Sequence, residues 1–207
     1  MAKKTTQKKT VAKVETTLIK LDLACGDRKN EGFLGIDKYK TESTDALADL
    51  MLYPFHFDTK IHSDCKELET GLFTLPDDSV ETIVCNHFFE HIPGLKRPGF
   101  MDECYRILKK GGQLIIAVPH YNSMRAIQDF THEWPPVAET SFLYFNKGWR
   151  EQNKLTHGLY DIKSDFDFGY GFSLDGDVQV RNQEYQQFAV KHYTNAAADL
   201  HVTLTKR

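Results

Sequence analysis

Apolar and polar positions along this chain follow two periods in turn. Leu18 to Leu23 is a β-rich apolar run ending at Ala24-Cys25-Gly26, and Phe33 to Ile36 is a second run ending at Asp37. Ala46, Leu47, Leu50 and Met51 recur at i, i+1, i+4 and i+5, which predicts a helix over Thr44 to Leu52. Ile61 to Cys65 reads as a short strand ending near Asp64. Leu75-Pro76-Asp77-Asp78-Ser79 is turn chemistry, and Val80 to Cys85 behind it reads as a strand. Phe100, Met101, Cys104, Ile107 and Leu108 make one apolar helical face, with Asp102, Glu103, Arg106 and Lys109 turned elsewhere. Lys109-Lys110 place positive charge at the end of that helix and Gly111-Gly112 stop it. Gln113 to Val118, closed by Pro119, is a buried strand. Strand, helix, glycine stop and strand form a βαβ unit, which requires a parallel sheet with helices on its faces.

The later part of the chain reads differently. Asp129 to Gly176 is rich in aromatics, Gly and Asp with weak periodicity, which predicts a substrate-side insertion or lid over residues 121–183. Phe188, Val190 and His192, then Leu200, Val202 and Leu204, alternate with their neighbours. That predicts a terminal antiparallel hairpin turning at Asn195 to Asp199.

Composition narrows the class. The 207 residues hold material for one domain, and 41% hydrophobic with 27% charged residues is ordinary for a soluble globular protein. Residues 1–16 stand apart: Lys3, Lys4, Lys8, Lys9 and Lys13 sit among Thr and Gln with almost nothing apolar. A disordered basic tail is expected there, with the folded domain over residues 17–207. A net charge of −3 supplies no field that would draw the chain to nucleic acid. Cys25, Cys65, Cys85 and Cys104 lie far apart and read as free thiols in a reducing compartment. No apolar stretch approaches the roughly 18 residues that span a bilayer, and the N-terminus lacks the apolar centre of a signal peptide. A cytoplasmic protein with no membrane partner is the expectation.

The chemistry concentrates at strand ends. A strand closing on a glycine, followed by a second strand closing on an acid, outlines a nucleoside site. Gly26 lets a ligand approach the backbone, and Asp37 can accept from two ribose hydroxyls together. A nicotinamide site would need G-x-G-x-x-G and an acid about twenty residues on, and here the acid comes too soon. His87-Phe88-Phe89-Glu90-His91 also spells H-x-x-E-H, a zinc-peptidase signature. That chemistry needs both histidines on one helical face, and Pro93-Gly94 leaves little length for such a helix. A zinc hydrolase is one alternative reading.

Three segments in order carry a joint resemblance. They are Leu21-Asp22-Leu23-Ala24-Cys25-Gly26, then Leu75 to Glu81 leading to Phe89-Glu90-His91-Ile92, then Phe100 to Pro119 with Arg106-Ile107-Leu108-Lys109-Lys110-Gly111-Gly112. This pattern resembles the class I S-adenosylmethionine-dependent methyltransferases, in their type 11 branch with a short cofactor loop. The resemblance implies an α/β, Rossmann-like open sheet, mainly parallel with an antiparallel C-terminal strand and helices on both faces. It implies S-adenosylmethionine as cofactor and no metal. Asp37 would grip the ribose and Asp22 the ammonium end, with Ala24, Cys25 and Gly26 forming the loop between them. Asp64 would meet the adenine, and Asn86 and His87 would lie beside the sulfonium. Ala24 replaces the first glycine of the usual pattern, and the gap from Gly26 to Asp37 is too short for a full helix.

His120, His132 and His87 are the candidate bases, because an oxygen or nitrogen acceptor must shed a proton and imidazole titrates in the right range. His120, following the strand closed by Pro119, is expected to face the same cleft as His87, and Asp129 to orient His132. A nucleic-acid amino-methyltransferase would, by resemblance, carry an Asp/Asn-Pro-Pro-aromatic motif, and Asn86-His87-Phe88-Phe89 lacks both prolines. The expected acceptor is a small molecule or glycan, methylated on oxygen or nitrogen. The other alternative is a cofactor-binding protein without catalysis, acting in a larger assembly.

Overall fold

The computed structural model describes residues 18–207, so the tail expected at residues 1–16 lies outside the described residues. In chain order the elements are β1 (Ile19–Leu23), β2 (Leu34–Asp37), β3 (Ala46–Leu47), β4 (Lys66–Glu67), β5 (Phe73–Thr74), β6 (Val80–Asn86), α1 (Arg97–Ile107), β7 (Leu108–Pro119), α2 (Met124–Gln128), α3 (Lys147–Gln152), β8 (Phe166–Leu174), α4 (Gly176–Gln179), α5 (Gln183–His192) and β9 (Ala197–Lys206). Short 3₁₀ segments occur at Phe89–His91, Gly94–Lys96, Glu139–Phe145 and Gly158–Tyr160.

Seven strands form one sheet in the order β3-β2-β1-β6-β7-β9-β8. β1, β2, β3, β6 and β7 pair in parallel, whereas β9 is antiparallel to both β7 and β8. Only β9 therefore runs backwards in this sheet. This is the α/β, Rossmann-like sheet with an antiparallel last strand. Its strands bury Leu21, Leu23, Ile36, Ile83, Leu114, Ile116, Val202 and Leu204 in one core with Phe89, Phe100, Phe142 and Phe166. The parallel strands bring Leu23, Asp37, Leu47, Asn86 and Pro119 to one edge, the carboxyl edge where open α/β sheets take ligands.

Four local expectations are corrected. Thr44 to Leu52 is not a helix: burial alternates, with Thr44, Ala46, Ala48 and Leu50 inward. The Asp45 amide donates to Gly35 O and the Ala48 amide to Asp37 O, so the segment runs as an extended neighbour of β2. Gly35 permits that closeness, since a Cβ there would lie 2.1 Å from the Ser43 carbonyl oxygen. Ile61 to Cys65 is not a strand either; pairing starts at Lys66, in a two-stranded ladder outside the main sheet. Helix α1 ends at Ile107, ahead of the lysines, and Leu108 already pairs with Val80. Lys109 reaches Glu81 at 3.1 Å, and Gly111, at φ +75°, turns the chain before Gln113 aligns with Thr82.

The expected terminal hairpin does not form: Phe188 to His192 lies in helix α5, and β9 pairs antiparallel with β7 and β8. Asn182 caps that helix by accepting from the Tyr185 amide, and Lys191 and His192 sit at its C-terminal end. Those end signals outweigh five alternating residues. Within the expected insertion, Phe166 to Leu174 is a sheet strand whose residues Phe168, Tyr170 and Phe172 fall on one face. The residues before it are fastened to the core: Phe142 stacks on Phe89 at 5.6 Å, and Asp102 of α1 accepts from the Lys163 and Ser164 amides. Among the described residues no helix is long and apolar enough to cross a membrane.

Candidate functional site

The site begins with two carboxylates whose partners are amides. Asp22 is buried at the end of β1, and its Oδ2 accepts from the Asn30 amide at 2.7 Å and the Asn30 side chain at 2.8 Å. That fixes the loop over residues 24–33, which contains no helix. Asp37 accepts from the Gly26 amide at 2.9 Å through Oδ2 and from the Tyr39 amide at 2.9 Å through Oδ1. Thr41 Oγ1 donates to Gly26 O at 2.6 Å, so Gly26 is held from both sides. Ala24 and Gly26 both adopt φ +56°. The left-handed conformation that favours glycine therefore persists where this chain has alanine. Cys25 packs against Gly35, and burial, with the Asp37 and Asp22 carboxylates nearby, pushes its thiol up to about 11. It stays a neutral thiol, with Sγ 3.8 Å from the Ser43 carbonyl oxygen.

The next strand end carries Asn86 and His87. Asn86 is exposed, and His87 adopts φ +53° while its amide donates to Ala117 O of β7. Strain of this kind on a non-glycine residue tends to collect at functional positions. His87 Nδ1 stands 3.5 Å from Glu90 Oε1, and that contact holds the imidazole above its ordinary value against the opposing effect of burial. Beside it, His87, Glu90, His91, Pro119, Arg125, Gln128, Asp129 and His132 line a polar cavity of about 250 Å³. His91 and His132 meet edge to face with ring centroids 4.9 Å apart. Asp129 Oδ2 is 3.7 Å from His132 Nε2, and Asp129 also accepts from the Thr131 amide and hydroxyl.

Residues 21–116 match the methyltransferase domain family. Over these 96 of its 207 residues the chain is similar to that family. Its fold is shared with a SAM dependent methyltransferase from Archaeoglobus fulgidus, at a TM-score of 0.58 and 17% identity over 91% of this chain and 86% of that one. An S-adenosylmethionine dependent methyltransferase from Mesorhizobium loti aligns at a TM-score of 0.48 and 17% identity, over 91% of each chain. No curated protein matches the chain in sequence.

Two residues assigned from the sequence lie elsewhere. Asp64 is at the amino edge of the sheet, lining a separate cavity with Asp77, Asp78, Arg106 and Lys206. The acid just past the strand next to β2 is instead Asp49, 3.4 Å from Lys38 Nζ. The difference follows from Ile61 to Cys65 not forming that strand. His120 does not face His87. It is 1% exposed, packed edge to face against Tyr121 and Phe172, with Nε2 3.4 Å from Glu139 Oε2. Burial lowers its proton affinity, and Glu139 only partly restores it. His132 and His87 do share a cavity, and they share it with His91 and Glu90. Those last two stand in H-x-x-E-H, but Phe89–His91 is one 3₁₀ turn, so no helix carries His87 and His91 on one face.

Proposed function

We propose that this domain transfers a methyl group from S-adenosylmethionine to an oxygen or nitrogen of a small-molecule or glycan-type acceptor. The order of groups along the carboxyl edge carries the reading. Asp37 ends β2, Gly26 lies past β1, Asn86 ends β6 with His87 just past it, and the polar cavity lies past β6 and β7. A nucleoside gripped at Asp37 with its amino-acid end toward Asp22 would bring its sulfonium to the mouth of that cavity. The residues fit such a ligand. Asp37 spends one hydrogen bond per oxygen on the protein, leaving lone pairs for two ribose hydroxyls. A Cβ on Gly26 would meet nothing within 4 Å, so the space over that glycine is open. Asp49 takes the adenine-side role first given to Asp64.

When bound, S-adenosylmethionine supplies a methyl carbon made electrophilic by positively charged sulfur. The chain contributes position and proton removal. His87 turns Nδ1 to Glu90, leaving Nε2 as the ring nitrogen to receive the acceptor's proton. A cavity of about 250 Å³ suits a single ring or a short polar group, and the net charge of −3 gives no pull on nucleic acid.

Calorimetric titration with S-adenosylmethionine and with its demethylated product tests the cofactor. Saturable binding is expected, weakened about a hundredfold by Asp37→Ala, the loss of two hydrogen bonds to a charged acceptor. Equal affinity in that variant would remove the reading. Labelled-methyl transfer to polyhydroxy and amino acceptors then identifies the substrate.

A further inference from the structure

We propose that Glu90, His91 and His132 bind a divalent first-row transition metal of the zinc class in the wall of the acceptor cavity. A carboxylate oxygen and two imidazole nitrogens, one from each residue, lie within 4.8 Å of one another. The surrounding hydrogen bonds set the ring tautomers. His91 Nδ1 is 3.1 Å from the Thr131 carbonyl oxygen and 3.2 Å from the Thr131 hydroxyl. That hydroxyl gives its own proton to Asp129 at 2.6 Å, so both Thr131 oxygens are acceptors toward His91. Nδ1 therefore carries the hydrogen and Nε2 presents a lone pair. His132 repeats the arrangement, with Nδ1 3.2 Å from the Ala126 carbonyl oxygen. Imidazoles held by a backbone carbonyl through the far nitrogen are oriented as metal ligands are.

Glu90 adds an independent observation. Its side chain is 7% exposed, yet Oε2 is buried with no hydrogen-bond donor among the described residues. A buried carboxylate oxygen in that state is costly unless a cation neutralises it. The neighbouring guanidinium groups give their hydrogen bonds elsewhere, although the Arg97 charge attracts Glu90 and His87 faces Oε1 rather than Oε2. Arg125 pairs with Asp199 at 2.9 Å, and Arg97 donates to the carbonyls of Ile92, Pro135 and Glu133. The Glu90 and Asp129 carboxylates beside two neutral imidazoles match a doubly positive ion.

Three protein ligands leave coordination positions open, the pattern of reactive rather than structural centres. This set differs from the peptidase reading of H-x-x-E-H, because His132 replaces His87 as the second imidazole. An oxygen of the acceptor is the natural occupant of the open position, where the ion would lower its pKa. That consequence rests on the proposed methyl transfer; the metal site does not.

The test uses the full-length protein, stripped of metal and titrated with Co²⁺ by visible absorption and with Zn²⁺ by calorimetry. One ion per chain is expected. His91→Ala, His132→Ala and Glu90→Gln should each weaken binding at least about tenfold, while His157→Ala, exposed elsewhere, leaves it unchanged. Mg²⁺ should fail to compete, since imidazole donors favour the zinc class. Saturating Zn²⁺ should also raise the melting temperature of the unaltered protein, a readout that needs no variant to fold. Absence of saturable binding, or affinity indifferent to both histidine changes, overturns the site. Co²⁺ binding without S-adenosylmethionine binding would uphold it and remove the proposed function instead.

Discussion

Both ends of the parallel strands carry charged side chains, and they use them in opposite ways. At the amino end, charge closes on charge: Arg106 is 2.7 Å from Glu103 and 2.7 Å from Asp77, and Lys206 is 2.8 Å from Asp78. At the carboxyl end, Asp22 and Asp37 accept only from amides, and Ala24, Gly26 and His87 sit at positive φ. The amino-end cavity is the larger, about 860 Å³ against about 250 Å³. Size therefore points the wrong way. Unspent hydrogen-bonding capacity sets the carboxyl end apart, because a ligand can use it, whereas positive φ occurs at both ends, at Asp78 and Gly111 on the amino side.

Breaking the amino end should cost stability and nothing else. Arg106→Ala strips the bidentate partner from Glu103, whose side chain is 5% exposed and also accepts from the Phe55 amide. A loss of about 3 kcal/mol is expected in denaturant unfolding, with unchanged cofactor affinity in the folded protein. A stable variant with weakened cofactor binding would reverse the comparison.

Exchanging acids across the sheet sharpens it. Asp49→Ala should weaken S-adenosylmethionine binding about tenfold, the worth of one hydrogen bond to a carboxylate. Asp64→Asn, on the amino side, should leave calorimetric affinity where it was.

His120 is buried against Tyr121 and Phe172. Burial holds its proton affinity below the ordinary imidazole value of 6.5, so the native state stays neutral where the unfolded chain takes up a proton. Stability should therefore fall as pH drops below 6.5, levelling once the native imidazole also protonates. His120→Phe should flatten that part of the stability curve without changing cofactor affinity. A variant that folds normally but loses turnover would return His120 to the reaction.

The smallest effect belongs to Ala24→Gly. Relief of a left-handed alanine is opposed by the freedom glycine gains in the unfolded chain, so stability should rise by no more than about 1 kcal/mol. A clear drop in melting temperature would show that the Ala24 methyl group packs against the core more than its backbone suffers.

Much of the carboxyl edge was legible because its signals are local. Leu21 to Gly26 and Val80 to Asn86 are runs whose end residues follow directly from strand periodicity, and α1 shows its buried face in Phe100, Cys104 and Ile107. Thr44 to Leu52 carries a pattern that satisfies both periods, and only pairing with β2 selects the extended one. Choosing the wrong third strand then carried the adenine assignment to Asp64.

The chain by itself determined the strands β1, β2, β6 and β7, the glycine and acids that close β1 and β2, and the kind of sheet they build. Those depend on residues a few positions apart, where backbone geometry allows few solutions. Tertiary structure alone decided which histidines meet. His120 and His132 are equally plausible neighbours of His87 along the chain, yet one is packed under Phe172 and the other touches His91. Which contact forms depends on how residues 121–164 settle over the sheet edge, a balance of many long-range burials that no local pattern records.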